Sequence, residues 1–250
     1  MDSLFLVSLE LPFYYSVGGM SESAFGSSPS WVSCMAMPQP TDRHIYHITH
    51  VSNLAKMVEA DGLWSDREMA KRGGPSVCIG MNHIKQRRLS TPVSCHAGRM
   101  VGDFVPFYFC PRSIMLYVIW RGDNVDLAYT DGQEPIVHLQ ADLDEVLGWA
   151  DQAGVPWAYT NGNAGAAYTE HYTDLSLEHV DWAAVAARDW KPTEIREHKQ
   201  AEFLLYGHFP WTLVRSVGVV NGRIQTKASD AIAGSSHQPP VIIRRDWYYL

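Results

Sequence analysis

The sequence predicts an α+β fold. Strand-like runs outnumber helical ones, the two kinds do not alternate in the regular order of a doubly wound sheet, and there is no internal repeat. The 250 residues, 46% apolar and 19% charged, suffice for a core that needs no disulfide or metal staple, and this balance excludes a disordered chain. The four cysteines, Cys34, Cys78, Cys95 and Cys110, contain no C-x-x-C pair, which excludes a disulfide scaffold and points to a reducing cytoplasm. No run approaches the roughly 18 consecutive apolar residues of a membrane span.

Residues 1–40 differ from the rest and read as a flexible extension. An apolar opening is followed by the Gly/Ser-rich GGMSESAFGSSPS, Asp2 and Glu10 break any secretory-signal pattern, and Met35 and Met37 offer a later start. The folded domain is expected over 41–250. Ile45–Thr49 is β-branched and aromatic, hence a strand. Ser52 or Asn53 is placed to cap a helix carrying Leu54, Met57 and Val58, and Gly62 ends it. Asp103–Phe109 and Ile114–Trp120 read as strands joined at Pro111-Arg112-Ser113. Pro135–Gln140 is a further strand, a short helix starts at Asp142, and Trp157–Gly165 runs from strand into turn. Asp181–Trp190 reads as a helix; Ala201–Tyr206, Thr212–Val220 and Pro240–Tyr249 read as strands.

The net charge of −7 is unevenly spread. Between His83 and Arg121 six bases stand against Asp103 alone, whereas from Gly122 to Asp189 thirteen acids stand against Arg188. An acidic protein can thus keep one basic face for a polyanion. His44, His47 and His50 invite a metal reading, but on a strand residues three apart point to opposite faces, and no Cys or carboxylate lies close by to complete a tetrahedral set. A hydrogen-bonding or structural histidine is the better reading. RGGPSV and NGNAG match neither a P-loop nor a dinucleotide fingerprint, and there is no G-x-S-x-G elbow. KQRR (Lys85–Arg88) is either a solvated face or an anion site, and spacing alone does not single out Glu202 at the start of its strand.

Together, IYHITHVSNL, HIKQRR, VGDFVPFYFCPRSIMLY, DGQEPIVHL, NGNAGAAY, KQAEFLLYGHFPW and the terminal DWYY resemble, in order, the DarT family of DNA ADP-ribosyltransferase toxins. The resemblance spans roughly residues 43–249. It implies the ADP-ribosyltransferase fold, a split two-sheet α+β core with flanking helices that grips NAD in a bent pose. It implies that His47, Ile48 and Thr49 hold the nicotinamide end, that Lys56 and Trp64 are further NAD contacts, and that Arg88 and Glu202 are the catalytic arginine and glutamate. Residues 69–90 then correspond to the element that closes over NAD, and 163–202 to the loop that presents the acceptor base. Some relatives carry a histidine where the turn here reads Asn163.

The implied reaction moves ADP-ribose from NAD, as co-substrate and without a metal, to a base in single-stranded DNA, with thymine the expected base. Nicotinamide departure leaves a cation-like sugar, which a carboxylate such as Glu202 stabilises, and a planar guanidinium such as Arg88 matches the diphosphate. A base must leave its stack to react, so single strands are the natural substrate, with Phe107 and Tyr108 as stacking candidates if exposed. The implied partner is a DarG-type macrodomain antitoxin; no membrane is involved. Guanine in DNA, RNA or a protein side chain stays open as acceptor, as does a non-catalytic NAD- or DNA-binding module.

Overall fold

The strand read from IYHIT is β1 (His44–His50), and it lies at the centre of an eight-stranded sheet. The computed structural model describes residues 40–188 and 192–250, so the expected extension before Pro40 lies outside the described residues. After β1, the His50 ring accepts the Ser52 N–H and caps a short 3-10 turn, Val51–Asn53, which leads into α1 (Leu54–Glu59). Asn53 occupies the N-cap position of α1 as expected, but its side chain makes no cap bond, because its amide is engaged elsewhere. Gly62 begins β2 (Gly62–Trp64) at φ 138°, where a Cβ would lie 2.0 Å from the Phe209 carbonyl oxygen, so only glycine fits. Two helices follow, α2 (Asp66–Lys71), capped by Ser65, and α3 (Asn82–Ser90), which carries KQRR.

β3 (Phe104–Tyr108) falls where expected. Ile114–Trp120, expected as a strand, is instead α4 (Ile114–Arg121). Its side chains favour a strand, but Ser113 Oγ accepts the Leu116 N–H at 3.2 Å and Gly122 closes the helix at φ 63°. Leu116 and Ile119, three residues apart, make its buried face. β4 (Ile136–Asp142) runs directly into α5 (Leu143–Ala153), capped by Asp142 as expected. Then come β5 (Trp157–Thr160), the two-residue β6 (His171–Tyr172), and α6 (Trp182–Ala186), capped by Asp181. The helix expected to Trp190 stops earlier, and Asp189 and Trp190 lie outside the described residues.

α7 (Thr193–His198) precedes β7 (Glu202–Tyr206) and β8 (His208–Pro210). The strand expected over Thr212–Val220 begins late: a 3-10 turn, Trp211–Leu213, comes first, and β9 is Ser216–Val219. After α8 (Gly222–Ile232), the strand expected over Pro240–Tyr249 is only β10 (Val241–Ile243). The chain then turns through Arg245–Trp247 and drops Trp247, Tyr248 and Tyr249 into the core. A Cβ on Gly218 would meet the Trp247 ring at 2.2 Å, which is why that strand carries glycine there.

The sheet order is β10-β9-β4-β1-β3-β7-β5-β6, with β2 and β8 forming a separate ribbon. One face buries Ile45, Val105, Phe107, Leu139 and Phe203 against α5 and α8; the other buries Tyr46 and Ile48 with Leu116, Ile119, Trp247 and Tyr248. The sheet is split at its middle. β1 pairs with β4 at seven positions, yet with β3 only at Tyr46↔Tyr108. On that side of β3 the next rung falls to Pro106, which has no N–H to offer β1. The strands part there, and the expected two-sheet arrangement follows.

Candidate active site

The fork between β1 and β3 is filled by His47. Its Nδ1 lies 2.9 Å from the Pro106 carbonyl, which can only accept, so Nδ1 carries the proton. Removal from water disfavours the imidazolium and lowers the His47 pKa; the Pro106 bond works the other way. Thr49, two residues along the same edge, is buried, and its Oγ1 accepts from Asn53 Nδ2 at 3.0 Å. Ile48 packs its side chain on the opposite face.

Asn53 is a residue that sequence reasoning offered only as a cap. Buried on the turn after β1, its amide donates to the Val77 carbonyl at 2.8 Å and accepts the Val77 N–H at 2.9 Å. This two-way bond ties the segment expected to close over NAD to the strand expected to hold nicotinamide. The available signal was an Asn beside a strand end, which says nothing of a partner 24 residues away.

Arg88 and Glu202, 114 residues apart, meet in the interior. Arg88 Nη1 lies 3.1 and 2.9 Å from the two Glu202 carboxylate oxygens, and the two side chains are 9% and 4% exposed. Burial alone would make the guanidinium easier to deprotonate, but the Glu202 charge, the Asp66 charge and the hydrogen bond to Glu202 together more than offset it and keep Arg88 cationic. Nη2 of Arg88 is buried without a protein partner, a donor fit for an anionic oxygen such as a phosphate's. Glu202 Oε1 also accepts the Ala164 N–H at 3.0 Å, from the NGNAG turn. Across the β3–β7 ladder Glu202 faces Tyr108, whose phenol is held neutral by burial and by the Glu202 charge. The carboxylate is thus fixed on a rigid strand, at the sheet split, beside a guanidinium with a donor to spare.

The other expected site residues are more scattered. Trp64 stands in β2, its ring tilted against His208 at 4.2 Å between ring centres, with the Arg72 guanidinium 3.8 Å over its ring. Arg72 opens the glycine loop before α3, so this cluster braces the start of the expected NAD-closing segment. Lys56 is exposed on α1. The basic stretch does not form one solvated face: Arg88 is buried against Glu202, Arg99 lies over Tyr206, Arg112 over Tyr249, and Arg121 pairs with Asp123. Phe107 is 1% exposed and belongs to the core, which removes it as a stacking surface for a base. Of the three histidines, His47 fills the fork and His50 caps the following turn; each bonds separately.

A sheet split at one strand pair, with a histidine strand on one side of the opening and a buried glutamate strand on the other, defines the class: an ADP-ribosyltransferase fold. The comparisons with known proteins narrow it. A family model described as "ssDNA thymidine ADP-ribosyltransferase, DarT" matches residues 46–249. A DNA ADP-ribosyl transferase of Thermus sp. (strain 2.9) is 37% identical over 216 residues, covering 85% of this chain and 98% of that protein. Among solved structures, Thermus sp. 2.9 DarT in complex with ADP-ribosylated ssDNA superposes with a TM-score of 0.76 at 35% identity, covering 84% of this chain and 98% of that one. The same protein in complex with NAD+ gives 0.70 at 33% identity, covering 84% and 99%. The chain belongs to the DarT family.

Among the described residues no helix is long and apolar enough to cross a membrane.

Proposed function

We propose that this chain transfers ADP-ribose from NAD+ to thymine in single-stranded DNA, and that it does so in the cytoplasm as the toxin of a toxin–antitoxin pair. The observation that carries the reading is the buried Arg88–Glu202 pair at the sheet split. The Thermus relative, solved both with NAD+ and with ADP-ribosylated ssDNA, supports the donor and the acceptor class, and the family description supports thymine.

In this reading NAD+ supplies the ADP-ribosyl group and the nicotinamide leaving group. His47, with its proton fixed on Nδ1 by Pro106, and Thr49 line the fork and hold the nicotinamide end, with the Ile48 backbone between them. Trp64 and Lys56 contact the rest of NAD+ from the ribbon and α1. Glu202 presents a pre-oriented negative charge to the ribose, where positive charge develops as the bond to nicotinamide breaks, so it stabilises that state more than bound NAD+. Arg88 donates to anionic oxygen through its free Nη2 while Nη1 holds Glu202 in place. The NGNAG turn, bonded to Glu202 through the Ala164 N–H, brings the acceptor base to the same point.

Such an enzyme would modify the DNA of its own host, so it requires an opposing activity; a DarG-type macrodomain antitoxin that removes ADP-ribose from DNA fits that chemistry. The test uses purified full-length protein, NAD+ and homopolymer oligonucleotides. A mass gain of one ADP-ribose on thymine-containing strands is expected. Gain only on guanine strands would move the acceptor, and gain on protein with none on DNA would overturn the reading.

A further inference from the structure

We infer that Thr160 is a positioning residue for Glu202: its hydroxyl supplies the rung that the β5–β7 ladder lacks and so sets both the strand and the turn that hold the catalytic carboxylate. The ladder pairs Trp157↔Leu205, Ala158↔Leu204 and Tyr159↔Phe203, and ends there. The next pair along would be Thr160 with Glu202. In its place Thr160, fully buried at the end of β5, accepts the Glu202 N–H on Oγ1 at 2.9 Å. The same hydroxyl donates to the Gly162 carbonyl at 2.7 Å. One side-chain oxygen therefore links the first residue of β7 to the turn that follows β5.

That turn returns to the carboxylate. Two residues beyond Gly162, the Ala164 N–H donates to Glu202 Oε1 at 3.0 Å. The Gly165 N–H is taken by Asn163 Oδ1 at 2.9 Å, and Asn163 Nδ2 donates to Gln200 Oε1 at 3.2 Å, two residues before Glu202. Gly165 also sits against Arg88: a Cβ there would touch Arg88 Cγ at 3.4 Å. Thr160, the turn, Glu202 and Arg88 thus form a closed circuit in which the Thr160 hydroxyl is the link between backbone and turn. Valine keeps the shape and loses both bonds, leaving the Glu202 N–H and the Gly162 carbonyl buried and unpaired. The carboxylate would then be free to tilt, and a misplacement of about 1 Å at a reacting group costs up to about 100-fold in rate.

The inference rests on Glu202 being catalytic, and the experiment separates the two. Full-length Thr160→Val, Thr160→Cys, Thr160→Ser and Glu202→Ala are compared for kcat and KM for NAD+ in oligonucleotide ADP-ribosylation, with NAD+ binding measured directly. Thr160→Val should lower kcat by roughly 10- to 100-fold with KM for NAD+ nearly constant, since the loss lies in the transition state. Thr160→Ser should restore most of kcat, and Thr160→Cys, a weak donor and acceptor, should fall between; the Ser and Cys pair carries the ranking should Val fail to fold. Parental kcat in Thr160→Val or a Cys variant equal to Ser would overturn the inference. A change in NAD+ binding with kcat unmoved would overturn it as well. Activity surviving in Glu202→Ala would instead sink the reading beneath it.

Discussion

Replacing Glu202 with glutamine is the sharpest perturbation of the proposed chemistry, because it removes one charge and almost no volume. In the parent, Arg88 Nη1 reaches both carboxylate oxygens and the Ala164 N–H reaches Oε1. Glutamine offers a single oxygen, so either Arg88 or Ala164 must face an NH2 group, donor against donor. Both side chains of the pair are more than nine-tenths buried, so the Arg88 charge is left without its counterion away from water. Loss of one hydrogen bond to a charged group costs about 2 kcal/mol. For a domain of this size that lowers Tm by roughly 4–8 °C. Turnover should fall much further, by about 100-fold or more, as when one preorganised group at a developing charge is removed. The assay follows mass-shifted oligonucleotide at saturating NAD+ and 25 °C, where the variant is still folded, with NAD+ affinity read separately. Affinity within about threefold of the parent is expected, because the carboxylate acts mainly on the developing cation. Parental turnover would refute the assignment of Glu202. A collapse of NAD+ affinity equal to the loss of rate would refute its role as a transition-state group.

Other substitutions test the surrounding parts. Arg88→Lys keeps a charge but loses the planar fork, so it should weaken both NAD+ capture and turnover by about tenfold or more; an unchanged enzyme would shift the role to Arg87. Asn53→Ala frees Val77 from β1 and should raise KM for NAD+ about tenfold with kcat little changed, whereas a change in kcat alone would contradict the tie between strand and closing segment. His138 is fully buried and its pKa is pushed down to about 4 by loss of hydration. Its unfolded pKa is near 6.5, so between about pH 6.5 and 4 the unfolded chain binds a proton that the folded one refuses, and stability drains as pH falls; the loss at pH 5.5 is about 1 kcal/mol. Urea melts at pH 7.5 and 5.5 should show it, and a His138→Gln variant with the same pH dependence would show that the effect lies elsewhere.

What could be read in the sequence was local. β1, β4 and β7 announce themselves by β-branched and aromatic runs, and α5 by the Asp142 cap. α4 was misread because Ile, Val, Tyr and Trp favour strands, although Ser113 and Gly122 mark a helix at both ends. α8 was missed although Asn221 caps it and Ile224, Ala228 and Ile232 recur every four residues; its charged and polar remainder hid the stripe. The pairing of Arg88 with Glu202 joins segments 114 residues apart and leaves no trace in spacing or composition; the family resemblance implies a role for each residue, and only folding shows that they pair. Asn53 with Val77 and Thr160 with Glu202 left no trace of either kind. Each is a side chain standing in for backbone, and a single sequence does not show which backbone lacks a partner.

The sheet split ties these levels together. A central strand normally excludes proline, because its missing N–H leaves a rung unmade. In β3 the side facing β7 is unaffected: five residues pair there, from Phe104↔Tyr206 to Tyr108↔Glu202. Only the side facing β1 is lost, since the rung after Tyr46↔Tyr108 falls on Pro106. Its carbonyl, freed from the ladder, would be an unsatisfied acceptor, and His47 takes it. One residue without an N–H therefore opens the fork, and the same opening fixes the tautomer of the histidine that lines it. The unbroken β7 side carries Glu202 on a complete ladder, while β1, paired with β4 at seven positions, presents the open edge and is followed by Asn53, which ties it to Val77. A carboxylate held by a complete ladder opposite an open binding edge is what a transferase needs when it must bind one substrate, admit a second, and hold charge still at the moment of transfer.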